Sequence, residues 1–222
     1  MRRHDLVYLH RDAAFATPCA EAGDCHWQAA RNWIAAGRPL VAARQPVGSE
    51  GLLLGLSLPS ALQRKRLSIG IDRSAVAEIR PPVSLGRCLA GLLAEHAEIL
   101  RRLEAGANAC GVRLGVFGSL AWETLSGESY RHAESDIDLI GDVATPAQFD
   151  RLLALLQQAA AALPCRLDGE IRFPDGDAVA WREIAATRSQ PDARVLVKGE
   201  REVGLSSVRS LLASLEEECC HA

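Results

Sequence analysis

The stretch between residues 112 and 143 restricts the possible folds of this chain more than any other. An apolar run, VRLGVF, stops at Gly118 and Ser119. The segment SLAWETL then opens with helical character, and SDIDLIGDV returns to an extended pattern. Alternating aliphatic residues read as strand and the Gly-Ser pair as a turn at a helix start. A chain with this succession of strand, turn, helix and strand is neither all-helical nor all-β.

The downstream segments extend the pattern. TPAQFDRLLALLQQAAAAL predicts a helix with Thr145 as N-cap, Pro146 at its first position and Gln148 completing a capping box. CRLDGEIRF and AVAWREI flank PDGD, a turn signature that predicts a hairpin. RVLVKG predicts a further strand, and SSVRSLLASLEEE a closing helix. Upstream, DLVYL, HWQAARNWIAAG, RPLVAARQ, GLLLGLSLP and RLSIGI mix strand and helix signals, which suggests a small α/β unit. RPPVS, residues 80 to 84, interrupts both periodicities, because adjacent prolines disfavour helix before them and remove two backbone donors. The expected fold is therefore α/β (α+β), with an accessory domain over 1–82 and a second domain over 83–222. The second opens with an amphipathic helix carrying Leu89, Leu92, Leu93, His96, Leu100 and Leu103 on one face, with Gly106 as its stop. His96 on that face is expected to be a satisfied core residue.

Composition excludes several classes. The 222 residues are 48% hydrophobic and 24% charged, which is unlike a disordered chain, and a net charge of -3 gives no general field for nucleic acid. No apolar run reaches a membrane span, and the first residues lack the apolar core of a signal peptide, so a cytoplasmic location is expected. Seven cysteines at irregular spacings are expected to be reduced thiols. Cys19 with Cys25 and His26, and Cys219 with Cys220 and His221, lack the paired spacing of a structural zinc site.

The candidate chemistry lies in SDIDLI. Residues two apart on a strand share a face, so Asp136 and Asp138 converge while Ile137 and Leu139 enter the core. Two neighbouring anions raise each other's pKa, and a divalent cation with hard oxygen ligands, magnesium foremost and manganese as an alternative, relieves the repulsion. The Gly-Ser turn before them suits phosphate: Gly118 lets the backbone approach, the helix start offers unpaired N–H groups, and Ser119 adds a hydroxyl.

VFGS followed by SDIDLI resembles the nucleotidyltransferase fold associated with DNA polymerase beta, in which a third acid follows on a neighbouring strand. In RLDGEIRF both Asp168 and Glu170 lie on one face, so alternation does not choose between them; the resemblance favours Glu170. Sixteen residues separate Ser119 from Asp136, and this excursion is a candidate part of a substrate pocket. The joint order of RHDLVYL, QRKRLSIGI, VFGSLAWETLSGESY, SDIDLI, RLDGEI, AVAWREI and VLVKG resembles the malonate decarboxylase holo-acyl carrier protein synthase, or phosphoribosyl-dephospho-CoA transferase, family over nearly the whole chain.

That resemblance implies transfer of a phosphoribosyl-dephospho-CoA group from its triphosphate precursor to a serine of the decarboxylase's acyl carrier protein, with release of pyrophosphate. It further implies two magnesium ions at Asp136, Asp138 and the third acid. Lys198 is a candidate for the phosphates or the leaving group. Arg131 and His132, in the excursion before Asp136, are further candidates for phosphate and rank below Ser119 and Lys198; Arg64 and Arg66, in QRKR, are candidates for the coenzyme's phosphates or an acidic carrier surface. The alternatives are nucleotidyl transfer from ATP to a small molecule or protein, and a non-catalytic module that binds the carrier.

Overall fold

The computed structural model describes residues 1–18, 20–21, 23–45, 47–48 and 51–217. Cys19 and the group Cys219, Cys220 and His221 lie outside them. The fold is mixed α/β, with two sheets and, among the described residues, seven α-helices. The chain divides into two units, Met1–Pro82 with Trp122–Arg131, and Val83–Ala121 with His132–Ala222. No described helix is long and apolar enough to cross a membrane.

The first unit contains β1 (Leu6–Leu9), α1 (Cys25–Ala35), β2 (Leu40–Ala42), β3 (Leu52–Ser57), β4 (Arg66–Ile71) and β5 (Val76–Arg80). The strands form one sheet in the order β4-β3-β2-β1-β5, with every pairing antiparallel. Asp24 caps α1 by accepting from His26 N at 2.6 Å. Ala30, Trp33 and Ile34, at helical spacing, bury against Leu40, Leu54, Leu56 and Ile69 of the strands. Residues 122 to 131 complete this core: the Trp122 ring meets Trp33 edge-on at 5.5 Å and stacks on Tyr130 at 6.3 Å, and the Tyr130 hydroxyl donates to Ser57 O.

The second unit contains β6 (Val83–Ser84), α2 (Leu85–Cys88), α3 (Ala94–Ala109), β7 (Leu114–Phe117), the start of α4 (Gly118–Ser126), β8 (Ile137–Asp142), α5 (Pro146–Ala162), β9 (Leu167–Arg172), β10 (Ala178–Ala180), α6 (Trp181–Thr187), β11 (Arg194–Lys198), β12 (Val203–Ser207) and α7 (Val208–Glu217). Its sheet runs β12-β11-β10-β9-β8-β7-β6, and only β8 and β9 pair in parallel. A parallel pair needs a crossover, and α5 supplies it. Thr145 Oγ1 accepts from Gln148 N at 3.2 Å, while Gln148 Oε1 reaches past the cap to Ala144 N at 2.8 Å. The helix buries Phe149, Leu152, Leu153, Leu155, Leu156 and Ala159; each large side chain contributes about 1.5–3 kcal/mol. Leu152 packs over Gly141, so the face of β8 carrying Ile137 and Leu139 is covered by α5, and Asp138 points to the opposite face.

Four sequence expectations are corrected. Gly106 does not stop α3: a Cβ there would come within 2.8 Å of Leu155 Cδ2, so the glycine serves close packing of α3 on α5. The same helix begins only at Ala94, leaving Leu93 64% exposed at its cap rather than on the buried face. His96 Nε2 is buried without a hydrogen-bond partner, so His96 is not a satisfied core residue. AVAWREI contributes three residues of strand to the hairpin and then turns at Trp181 into α6.

Candidate active site

Antiparallel register sets Phe117, the last residue of β7, opposite Asp138 on β8. The next residue, Gly118, takes φ +69° as the chain turns from β7 into α4. A Cβ at this position would overlap the carboxylate of Asp138, so the glycine supplies both the left-handed turn and the space in which that carboxylate sits. Ser119 follows, half-buried in the first turn of α4.

Parallel register sets Asp138 opposite Asp168 and Ile140 opposite Glu170. Asp136, one residue before the strand begins, shares their side by alternation. The closeness of the two strands rests on Gly169, with φ +135°: a Cβ there would overlap the backbone carbonyl of Leu139. Gly169 N also donates to Asp168 Oδ1 at 2.8 Å, which fixes that carboxylate's rotation.

The two acids left open on β9 have different surroundings. Asp168 is half-buried beside Asp138 and takes Arg166 Nη2 at 2.9 Å. Glu170 is 5% exposed and accepts from Lys198 Nζ at 2.9 Å, across the intervening β10. Arg166 is the member of the cluster that sequence reasoning missed. Its Nε stands 3.8 Å from Asp136 Oδ2, and its side chain is 59% exposed. The signal was present, because Arg166, Asp168 and Glu170 alternate at period two.

Burial pushes the Asp138 carboxyl up to about 6, helped by the negative charges of Asp168, Asp136 and Glu170, while Arg166 works in the other direction. Four carboxylates against Arg166 and Lys198 leave this side of the sheet with excess negative charge. The donor set of Asp136, Asp138 and Asp168 is all oxygen, so the residues fit a hard divalent cation. Among the described residues the one group of three potential metal-binding side chains with all ligand atoms within 4.8 Å is Asp24, Cys25 and His26. Asp24 there is engaged in capping α1, and Asp136, Asp138 and Asp168 form no such tight group, Arg166 being paired with both Asp136 and Asp168.

Of the remaining candidates, Arg64, Arg66 and Arg131 belong to the first unit and His132 to the second. Arg64 and Arg66 are exposed at the β3–β4 connection, Arg64 with φ +52° and its Nε 3.3 Å from Ser60 Oγ. Arg131 pairs with Glu123, whose carboxylate also accepts from Tyr130 N and Arg131 N. Burial works to raise the Glu123 pKa, but these hydrogen bonds outweigh it and hold the carboxyl below its ordinary range. The first part of the excursion is thus packed into the first unit's core. His132, the next residue, is exposed, its backbone N–H bonded to Ser135 Oγ at 2.9 Å.

Comparison with known proteins adds the following. Residues 84–209 match the family model described as phosphoribosyl-dephospho-CoA transferase MdcG C-terminal domain, and residues 2–82 match the corresponding N-terminal domain. Relatives named phosphoribosyl-dephospho-CoA transferase include one from Xanthomonas euvesicatoria pv. vesicatoria, 37% identical over 91% of this chain and 92% of its own length. One from Bradyrhizobium diazoefficiens is 31% identical over 91% and 88%, and one from Pseudomonas aeruginosa is 33% identical over 75% and 76%. No solved structure matches the chain.

Proposed function

The chain belongs to the phosphoribosyl-dephospho-CoA transferase MdcG family, and from that membership and the acid cluster we propose a metal-dependent nucleotidyltransferase. It transfers the 2'-(5''-phosphoribosyl)-3'-dephospho-CoA group from the triphosphate precursor to a serine of the malonate decarboxylase acyl carrier protein and releases pyrophosphate. The observation that carries the reading is the placement of Asp138 and Asp168 side by side on adjacent strands, with Asp136 on the same side and a Gly-Ser helix start against Asp138. The second unit is then a nucleotidyltransferase domain, and the first an accessory domain.

Asp136, Asp138 and Asp168 would hold magnesium or manganese, which supplies neutralisation of the triphosphate and acidification of the attacking hydroxyl. Asp168 is taken as the third acid in place of Glu170, because Asp168 stands in register with Asp138 whereas Glu170 is paired with Lys198. Displacement at phosphorus needs nucleophile and leaving group held in line with charge offset at both ends. Gly118 and Ser119 bind phosphate oxygens through the start of α4, and Lys198, steadied by Glu170, directs its ammonium at the departing pyrophosphate. Covering of the other side of the sheet by α5 keeps β8 rigid, so the acids are presented on a fixed frame.

The experiment is direct. Purified chain, unmodified carrier subunit, triphosphoribosyl-dephospho-CoA and magnesium are mixed, and the intact carrier is weighed by mass spectrometry. The expected result is one phosphoribosyl-dephospho-CoA adduct and an equivalent of pyrophosphate. An unmodified, folded carrier overturns the assignment, and an adenylyl adduct from ATP alone replaces it with the rival transfer.

A further inference from the structure

Arg166 stands out in the cluster because it is half the site's positive charge and yet mostly exposed. Its guanidinium bridges Asp168, at 2.9 Å, and Asp136, at 3.8 Å, the two acids that flank Asp138. Its backbone is not free to move, since Arg166 O accepts from Ile137 N at 2.9 Å and so anchors the entry of β9 to the entry of β8. Only the side chain can leave. A cation shared by Asp136 and Asp168 would draw on the same carboxylates that now hold the guanidinium, so the two positive charges compete for them.

We propose that Arg166 is a substrate-binding residue: it bridges Asp136 and Asp168 in the substrate-free protein, gives way to the divalent cation, and then pairs with the incoming triphosphate. This rests on the cation-dependent reading above. Displaced from the acids, the guanidinium needs a new anion, and a triphosphate brought in with the cation provides one in the same place. An arginine suits the exchange because its fork of donors matches carboxylate and phosphate alike. The consequence is coupling: cation alone binds weakly because it must expel Arg166 unaided, and cation with triphosphate binds well because the expelled group is captured. By linkage the effect is reciprocal.

Manganese titrated into the metal-free full chain, without substrate and read as loss of the free-ion electron paramagnetic resonance signal, tests the first half. The exposed ion pair implies that Arg166→Ala binds manganese about two- to fivefold more tightly than wild type, with Arg166→Lys close to wild type. Steady-state transfer tests the second half: Arg166→Ala raises KM for the triphosphate about tenfold or more, with a smaller change in kcat. Equal or weaker manganese binding by Arg166→Ala, or an unchanged KM, overturns the role given to Arg166 and leaves the cation site standing. No manganese binding by either protein removes the cation site itself, and this inference with it. Melting temperatures of all three proteins, expected within a degree or so because the side chain is exposed, exclude misfolding as the cause.

Discussion

Replacing Asp138 with asparagine is expected to stabilise the protein while destroying transfer. The carboxyl ionises at about 6 rather than at the ordinary 3.8, chiefly through burial and then through Asp168, Asp136 and Glu170. At about 1.4 kcal/mol per pH unit this difference corresponds to at most about 3 kcal/mol. Asp138 is part-exposed, and solvent screening reduces the figure to about 1–2 kcal/mol. The sign follows from proton counting. Between roughly pH 4 and pH 6 the folded chain holds the Asp138 proton more firmly than the unfolded chain, so wild-type stability falls as pH rises through that window. The asparagine variant lacks this loss. The two proteins should therefore melt together near pH 4 in chelator and separate by about 3–6 °C at pH 8, a gap read by calorimetry. Magnesium should narrow the gap at pH 8 by neutralising the wild-type cluster alone. A variant no more stable than wild type at pH 8, or a gap that does not change with pH, would refute the electrostatic account of the cluster.

Three further outcomes are expected. Asp168→Asn lowers kcat by about a thousandfold or more while Glu170→Gln lowers it by about tenfold or less; a reversed order in steady-state assays would make Glu170 the third acid. Gly118→Ala forces a methyl group against the Asp138 carboxylate and costs about 1–3 kcal/mol, so denaturant unfolding should show that loss together with near-complete loss of transfer; normal turnover would contradict the contact. Reversing Arg64 and Arg66 to glutamate lowers kcat/KM for the carrier several-fold at low salt and little at high salt; an unchanged low-salt rate would exclude docking through this connection.

Much of the second unit was legible because its signals are local. The strand before Gly118, the capping of α5 at Thr145 and the alternation around Asp138 depend on neighbours within a few residues, and the structure reproduces each. What escaped depends on distant partners. Gly106 reads as a helix stop until Leu155 is seen against it. β12, Val203–Ser207, is an edge strand exposed over most of its length, so it lacks the alternation that marks a half-buried strand. β5 is similarly exposed and carries the charges of Glu78 and Arg80. Period two does not separate Asp168 from Glu170, since both answer to it; their different surroundings, register against Asp138 for one and the partner Lys198 for the other, come from distant strands. Arg166 was passed over because an arginine before a strand is ordinarily hydrated, and nothing nearby in the chain announces Asp136 as its second partner.

Gly169 performs no chemistry, yet it sets the gauge of the machine. With no methyl group at that point, β9 lies flush against the carbonyl of Leu139, and the acid just before it is carried to its opposite number. A single added carbon would have to prise the rails apart, and the enzyme would be disarmed with every reactive group still intact.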